Sequence, residues 1–207
     1  MRTLLIATTN RHKIEEFRAI FRDLPYKLLS LNDIQLEMDV EETGTTFSAN
    51  SELKALTYAR TTGFLSLADD SGLEIDALDG APGVYSARFA GVDTSYEERF
   101  HLILEKLHGL PPSRRTARFR CVITIAEPSG IYQSVDGIME GVIAEEARGV
   151  YGFGYDPIFF VPSLGKTIAE LLPELKNQIS HRAQAARLAR ALLENWPISP
   201  SFQDLTL

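Results

Sequence analysis

The chain has 207 residues, 44% of them hydrophobic, and 21 basic against 28 acidic side chains give a net charge of −7. That length and apolar content suffice for one sizeable core, and no shift in composition marks a second domain. The acidic balance excludes binding a nucleic-acid polymer through a broad basic face, and the single cysteine, Cys121, excludes an intramolecular disulfide and a zinc site built on several cysteines.

In chain order, residues 2–7 read as a buried strand, too short for a signal-peptide core or a membrane span, so a soluble cytoplasmic protein is expected. Thr8-Thr9-Asn10 supplies cap-type residues for a helix with Ile14, Phe17, Phe21 and Leu24 on one face, ended by Pro25. Residues 27–31 read as a second strand. The acidic loop 37–44 then leads to a helix over 48–60, with Leu53, Leu56 and either Ala55 or Ala59 inward. The apolar run 64–68 reads as a third strand, so Asp69 and Asp70 are expected at its carboxyl end, where open α/β sheets bind ligands.

Residues 96–108 have helical spacing, with Tyr96, Phe100, Ile103, Leu104 and Leu107 on one side. Residues 116–127 alternate, turn at Pro128-Ser129-Gly130 and return over 131–146 as the second strand of a hairpin. Gly137 and Gly141 within it predict a bulge or the close approach of another backbone. Residues 158–161 read as a last short strand, and Ala183, Ala186, Ala189, Leu193 and Trp196 mark a final helix stopped by Pro197. Strands interleaved with helices, plus one long hairpin, give an α/β protein with a mixed sheet.

Residues 68–91 carry five carboxylates (Asp69, Asp70, Glu74, Asp76, Asp79) and four glycines. Adjacent carboxylates repel unless something positive lies between them, and Mg²⁺, which takes oxygen ligands and keeps waters for a phosphorylated substrate, suits Asp70. A solvated loop turned by its glycines is the alternative. Ser71 and Gly72 leave room for a backbone or a ligand. Thr8, Thr9, Asn10, Arg11, His12 and Lys13 stand where a helix begins, so they either form a phosphate site from unpaired N–H groups or simply cap that helix. Glu42 either is solvated or joins Asp70 around one divalent ion.

Gly152-Phe153-Gly154-Tyr155-Asp156-Pro157 frees the backbone beside two aromatics, which suits stacking on a nucleobase or a plain turn with core rings. Beyond Lys176, Ser180 reads as an N-cap that places His181 and Arg182 on the first turn of the final helix. Cations are disfavoured there, so they call for an anionic or acceptor-rich partner unless they are merely exposed.

The motifs T-T-N-x-x-K, E-T-G, D-D-S-G-L-x-x-D-A-L-x-G-A-P-G-V-Y-S-A-R, F-G-Y-D-P and S-H-R follow one another over nearly the whole chain. In this combination the sequence resembles the inosine triphosphate pyrophosphatase family. The resemblance implies an elongated single α/β domain over 1–196, with a long mixed sheet flanked by helices and a central substrate groove. It also implies a homodimer that uses Mg²⁺ to hydrolyse ITP, dITP or XTP to the monophosphate and pyrophosphate.

By position, it implies that residues 8–13 hold the triphosphate, that Glu42 and Asp70 serve the metal, and that Asp70 accepts the proton. Ser71 would contact substrate. Phe153, Gly154, Tyr155 and Asp156 would line the base and sugar pocket, while Lys176, His181 and Arg182 would read the purine edge. A carbonyl at the purine six position satisfies such donors, whereas an amino group leaves buried cations unpaired. One departure stands out, since relatives commonly carry a Glu before the Asn of the helix after E-T-G and this chain has Ala49. Residues 197–207 receive no role. The rival readings are a Mg²⁺-dependent pyrophosphatase for another nucleotide and a nucleotide sensor that does not hydrolyse.

Overall fold

The computed structural model describes residues 1–197, so the tail expected over 197–207 lies, beyond Pro197, outside the described residues. The opening apolar run forms β1 (Arg2–Ile6), with Leu4, Leu5 and Ile6 fully buried because helices cover both faces of the sheet there. α1 (Arg11–Phe21) follows, capped by Asn10, whose side chain accepts the Lys13 N–H at 3.2 Å, and it buries Ile14, Phe17 and Phe21. β2 (Tyr26–Ser30) pairs parallel with β1, setting Leu28 beside Leu4.

α2 (Phe47–Thr62) starts at Thr46 and stops at the left-handed Gly63. Its inward face is more polar than expected: Asn50 and Ser51 are buried with Ala55, Tyr58 and Ala59, while Leu53 and Leu56 are only half-buried. Those polar groups are satisfied across the layer, Ser51 by Thr124 at 2.7 Å and Asn50 by Asp70.

The third strand is longer than its apolar run. β3 (Leu65–Ile75) passes through both aspartates, pairing parallel with β1 from Leu65 to Leu67 and antiparallel with β4 (Thr116–Ala126) from Ser66 to Ile75. Asp69 and Asp70 are therefore mid-strand rather than at a strand end. They nonetheless sit where β1 has stopped, so the carboxyl edge that receives ligands is supplied by the neighbouring strand. Gly72 allows the close approach expected of it, since a Cβ there would run into the Gly83 carbonyl and the Ser86 hydroxyl.

α3 (Tyr96–Lys106) opens with a capping box between Ser95 and Glu98. β4 and β5 (Tyr132–Ile143) form the hairpin, in unbroken register from Thr116 opposite Val142 to Ala126 opposite Tyr132. Gly137 thus marks no bulge but a contact between backbones, because a Cβ on it would meet the His181 carbonyl and the Ala185 amide of α5 (His181–Glu194). Gly137→Ala should consequently cost about 1–3 kcal/mol. Urea unfolding with an unchanged m-value measures this, and equal stability would mean that α5 can step back.

β6 (Phe159–Val161) is followed by β7 (Lys166–Thr167), two residues long and not anticipated as the last strand, and α4 (Pro173–Ile179) leads into α5. Among the described residues the strands make one mixed sheet of seven in the order β2-β1-β3-β4-β5-β6-β7. α1 and α5 pack on one face with Phe17, Cys121, Ile123 and Leu193, and α2 on the other with Leu5, Tyr58 and Ala68. A third apolar cluster, around Ile103, Phe119, Tyr155 and Phe159, fills the hairpin end beneath α3.

Candidate active site

Successive side chains of a strand point to opposite faces, so β3 sends its two aspartates apart. Asp69 shares the face of Leu67 and faces Cys121. Its Oδ2 takes Lys13 Nζ at 2.9 Å and Arg182 Nη2 at 3.3 Å, while Oδ1 has no partner among the described residues. Burial pushes this carboxyl up, but Lys13, Arg182 and Lys54 override it and hold Asp69 well below the usual carboxylate range. The repulsion expected between adjacent acids is relieved by geometry, the two carboxylates lying on opposite faces with Lys54 and Lys13 acting on both.

Asp70 points to the α2 face. Its Oδ2 accepts a hydrogen bond from Asn50 Nδ2 at 3.0 Å and its Oδ1 one from the Ser71 N–H at 2.9 Å. Burial raises the Asp70 pKa, Lys54 opposes that and Glu42 adds to it, leaving the group above its ordinary value. A carboxylate raised in this way is better matched to taking a proton near neutral pH. Asn50 also accepts the Gly44 N–H at 2.7 Å, so one amide ties the E-T-G loop to Asp70. Glu42 is held by Lys54 and Arg88; burial raises its carboxyl, but Lys54, Lys13 and Arg88 together hold it below its ordinary value.

These groups open onto a groove of about 590 Å³, lined by Thr8, Thr9, Asn10, Lys13, Glu42, Lys54, Asp70, Ser71 and Arg88 together with Phe153, Gly154, Tyr155, Asp156, Lys176, His181 and Arg182. Of the expected site residues, Arg11 and His12 alone do not line it. The Arg11 side chain is exposed and pairs with Glu15, and His12 lies against Phe153.

The aromatic part of the groove is built on buried ion pairs. Lys176 Nζ binds Asp156 at 2.6 Å and Glu16 at 2.9 Å, and Glu16 also takes Arg182 Nη1 at 2.7 Å. Arg182 Nη2 reaches Ser71 Oγ at 2.8 Å as well. Glu16 and Asp69 are thus the anionic partners that Arg182 requires on the first turn of α5, where Ser180 caps as expected. Asp156 is occupied in holding Lys176 and accepting the Phe153 N–H at 2.9 Å. Tyr155 is a wall residue, its hydroxyl donating to the Ser86 carbonyl at 2.9 Å.

Two buried polar atoms beside the groove, His181 Nδ1 and Arg182 Nε, have no hydrogen-bond partner among the described residues. Burial first, then the charge of Arg182, keeps His181 well below its usual pKa and therefore neutral. A neutral imidazole stacked on Phe119 at 4.7 Å and a buried guanidinium offer an acceptor or donor and a donor for a planar ligand with edge polarity.

Glu16, Asn50 and Lys54 were not singled out by the sequence. For Glu16 a signal existed, because it lies three residues after Lys13 and so shares its helix face. The metal question turns on the donor set. Among the described residues no group of three or more His, Cys, Asp or Glu side chains is placed to hold an ion, and Ala49 adds no carboxylate to Glu42 and Asp70. Two carboxylates beside a cationic groove fit Mg²⁺, which completes its shell with water and substrate phosphate, better than a caged Ca²⁺ or Zn²⁺.

Known proteins resemble this chain in sequence and in fold. A model of the Ham1 family matches residues 4–192. The dITP/XTP pyrophosphatase of Exiguobacterium sibiricum is 51% identical over 190 residues, covering 92% of this chain and 96% of that one. The Bacillus subtilis dITP/XTP pyrophosphatase is 46% identical over 194 residues, covering 94% and 98%. Among solved structures, a Ham1 protein from Coxiella burnetii superposes with a TM-score of 0.87 at 44% identity, covering 94% of this chain and all (100%) of the other. The resemblance read from the motifs is borne out in sequence and in fold, and the chain belongs to the Ham1 family.

Proposed function

We propose that the protein hydrolyses non-canonical purine nucleoside triphosphates, ITP, dITP and XTP, to the monophosphate and pyrophosphate, clearing them from the pool that feeds nucleic-acid synthesis. The observation that carries this reading is one groove holding a buried, raised carboxylate (Asp70), three cations outside the base pocket (Lys13, Lys54, Arg88) and an aromatic pocket with unsatisfied polar edges. Names of the relatives, dITP/XTP pyrophosphatase, support the same substrate class.

Phosphoryl chemistry is mostly positioning and charge stabilisation. The N-terminus of α1 and Lys13 bind the polyphosphate, and Lys54 and Arg88 add positive charge along it. Asp70 orients a water and takes its proton as the water oxygen bonds to the α-phosphorus. The bond from that phosphorus to the bridging oxygen breaks, and pyrophosphate leaves with the electron pair. Glu42 and Asp70 would hold Mg²⁺, whose charge when bound offsets that of the phosphates. Lys54, which pairs with Glu42, offsets the charge of the acids.

In the base pocket, Arg182 and Lys176 favour a carbonyl at the purine six position over an amino group, because a buried donor left unpaired costs about 1–3 kcal/mol. A single domain over 1–196, a homodimer and a cytoplasmic setting complete the proposal on the strength of the family resemblance. No helix among the described residues is long and apolar enough to cross a membrane.

Initial rates of pyrophosphate release from ITP, XTP, dITP, GTP and ATP, with and without Mg²⁺, test the proposal. Preference for the first three by about a hundredfold over ATP is expected, as two mismatched donors imply, together with loss of activity on chelation. Equal rates on ATP or activity in chelator would refute the specificity or the metal assignment respectively.

A further inference from the structure

His12 stands within the segment expected to grip phosphate, yet its ring turns away from that task. It stacks on Phe153 with ring centroids 5.0 Å apart and planes only 8° from parallel. His12 is exposed and does not line the groove, whereas Phe153 does. Phe153 is also approached by two buried cations, Lys176 Nζ at 4.4 Å and Arg182 Cζ at 5.6 Å from its centroid. Its backbone is pinned too, through the N–H bond to Asp156, whose carboxylate in turn fixes Lys176. The remaining freedom of Phe153 is rotation of its side chain, and the His12 ring is the contact that opposes it from the solvent side.

We propose that His12 is a positioning residue for the nucleobase pocket. It clamps the Phe153 ring against Lys176 and Arg182 so that the pocket wall is in place before a purine arrives. The proposal rests on the nucleotide-binding reading above and moves one residue of the first loop from the phosphate subsite to the base subsite. The physical reason is preorganisation: a ring held in its bound rotamer loses no rotamer freedom when a base packs on it. An offset aromatic pair stabilises that rotamer enough to change affinity about three- to tenfold. Lys13, the neighbour of His12 on the same turn, keeps the phosphate role, with its ammonium on Asp69 at the groove.

Binding of the product IMP and of inorganic tripolyphosphate, each measured by calorimetry, tests this without requiring turnover. His12→Ala should weaken IMP binding about three- to tenfold and leave tripolyphosphate binding unchanged, while His12→Phe should restore the wild-type affinity for IMP. Loss of tripolyphosphate binding in the alanine variant would return His12 to the phosphates and overturn the proposal. Unchanged or tighter IMP binding, as expected of an idle ring or of one that blocks the wall, would overturn it equally. Pyrophosphate release from ITP by the unaltered protein is read separately. Its absence would reject the hydrolase reading while the IMP and tripolyphosphate comparison still decides the place of His12.

Discussion

Asp70→Asn should lower kcat for pyrophosphate release from ITP by about a thousandfold, within the range that a general base supplies, and leave KM nearly unchanged. Asn keeps the size of the side chain, but both partners of Asp70 are donors, so its one oxygen keeps either the Asn50 amide or the Ser71 N–H while its NH2 faces the other, a single lost hydrogen bond that the fold should survive. That loss is opposed at pH 7 by removal of a buried charge. The folded-state pKa of Asp70 is raised above the ordinary 3.8, so its ionised form costs stability in full above the raised value, and that cost disappears as pH falls below 3.8. Relative to the unaltered protein, the asparagine variant should therefore fare best at neutral pH and worse in acid. Near-normal turnover would remove Asp70 as the base, and a difference in melting temperature that does not change with pH would show that the fold does not raise its carboxyl.

Asp69→Asn should cost about 3–5 kcal/mol at neutral pH, because Lys13 loses its carboxylate and Arg182 is left with Glu16 alone. For a chain of this length that lowers the melting temperature by about 6–20 °C. The sign with pH is reversed. Asp69 is held below 3.8, so the stability it contributes is complete above that value and is lost as pH falls through the depressed folded value. The gap between the unaltered protein and the variant should be widest at neutral pH and should narrow in acid. A gap that stays constant down to about pH 3 would mean that the cations find other partners.

The helices α1, α3 and α5 and the β4–β5 hairpin were legible because their apolar periods are unbroken and their caps are local. β3 was legible only for its first half. Asp69-Asp70-Ser71-Gly72 has the composition of a loop, and what lets it continue as a strand is non-local, namely cations from α1, α2 and α5 and the carbonyl of Gly83 against Gly72. The same limit explains the site. Asp70, Glu42 and Lys13 stand in short motifs, whereas Glu16, Asn50 and Lys54 acquire meaning from which helix face meets which strand. α2 misled for that reason, since its polar residues face inward to satisfy Asp70 and Thr124.

The alternation of Asp69 and Asp70 along β3 makes the spelling of this strand intolerant of a change in length. Deleting or inserting one residue between Leu65 and Asp69 while β4 keeps its pairing would exchange the two acids, putting the one without a groove into the groove and the other among Leu67 and Cys121. No single substitution restores that arrangement, because Lys13, Arg182, Asn50 and Lys54 each wait on a fixed side of the sheet. Length variation should accordingly be accepted in the turn at Pro128-Ser129-Gly130, where nothing catalytic is counted in steps of two, and refused in β3.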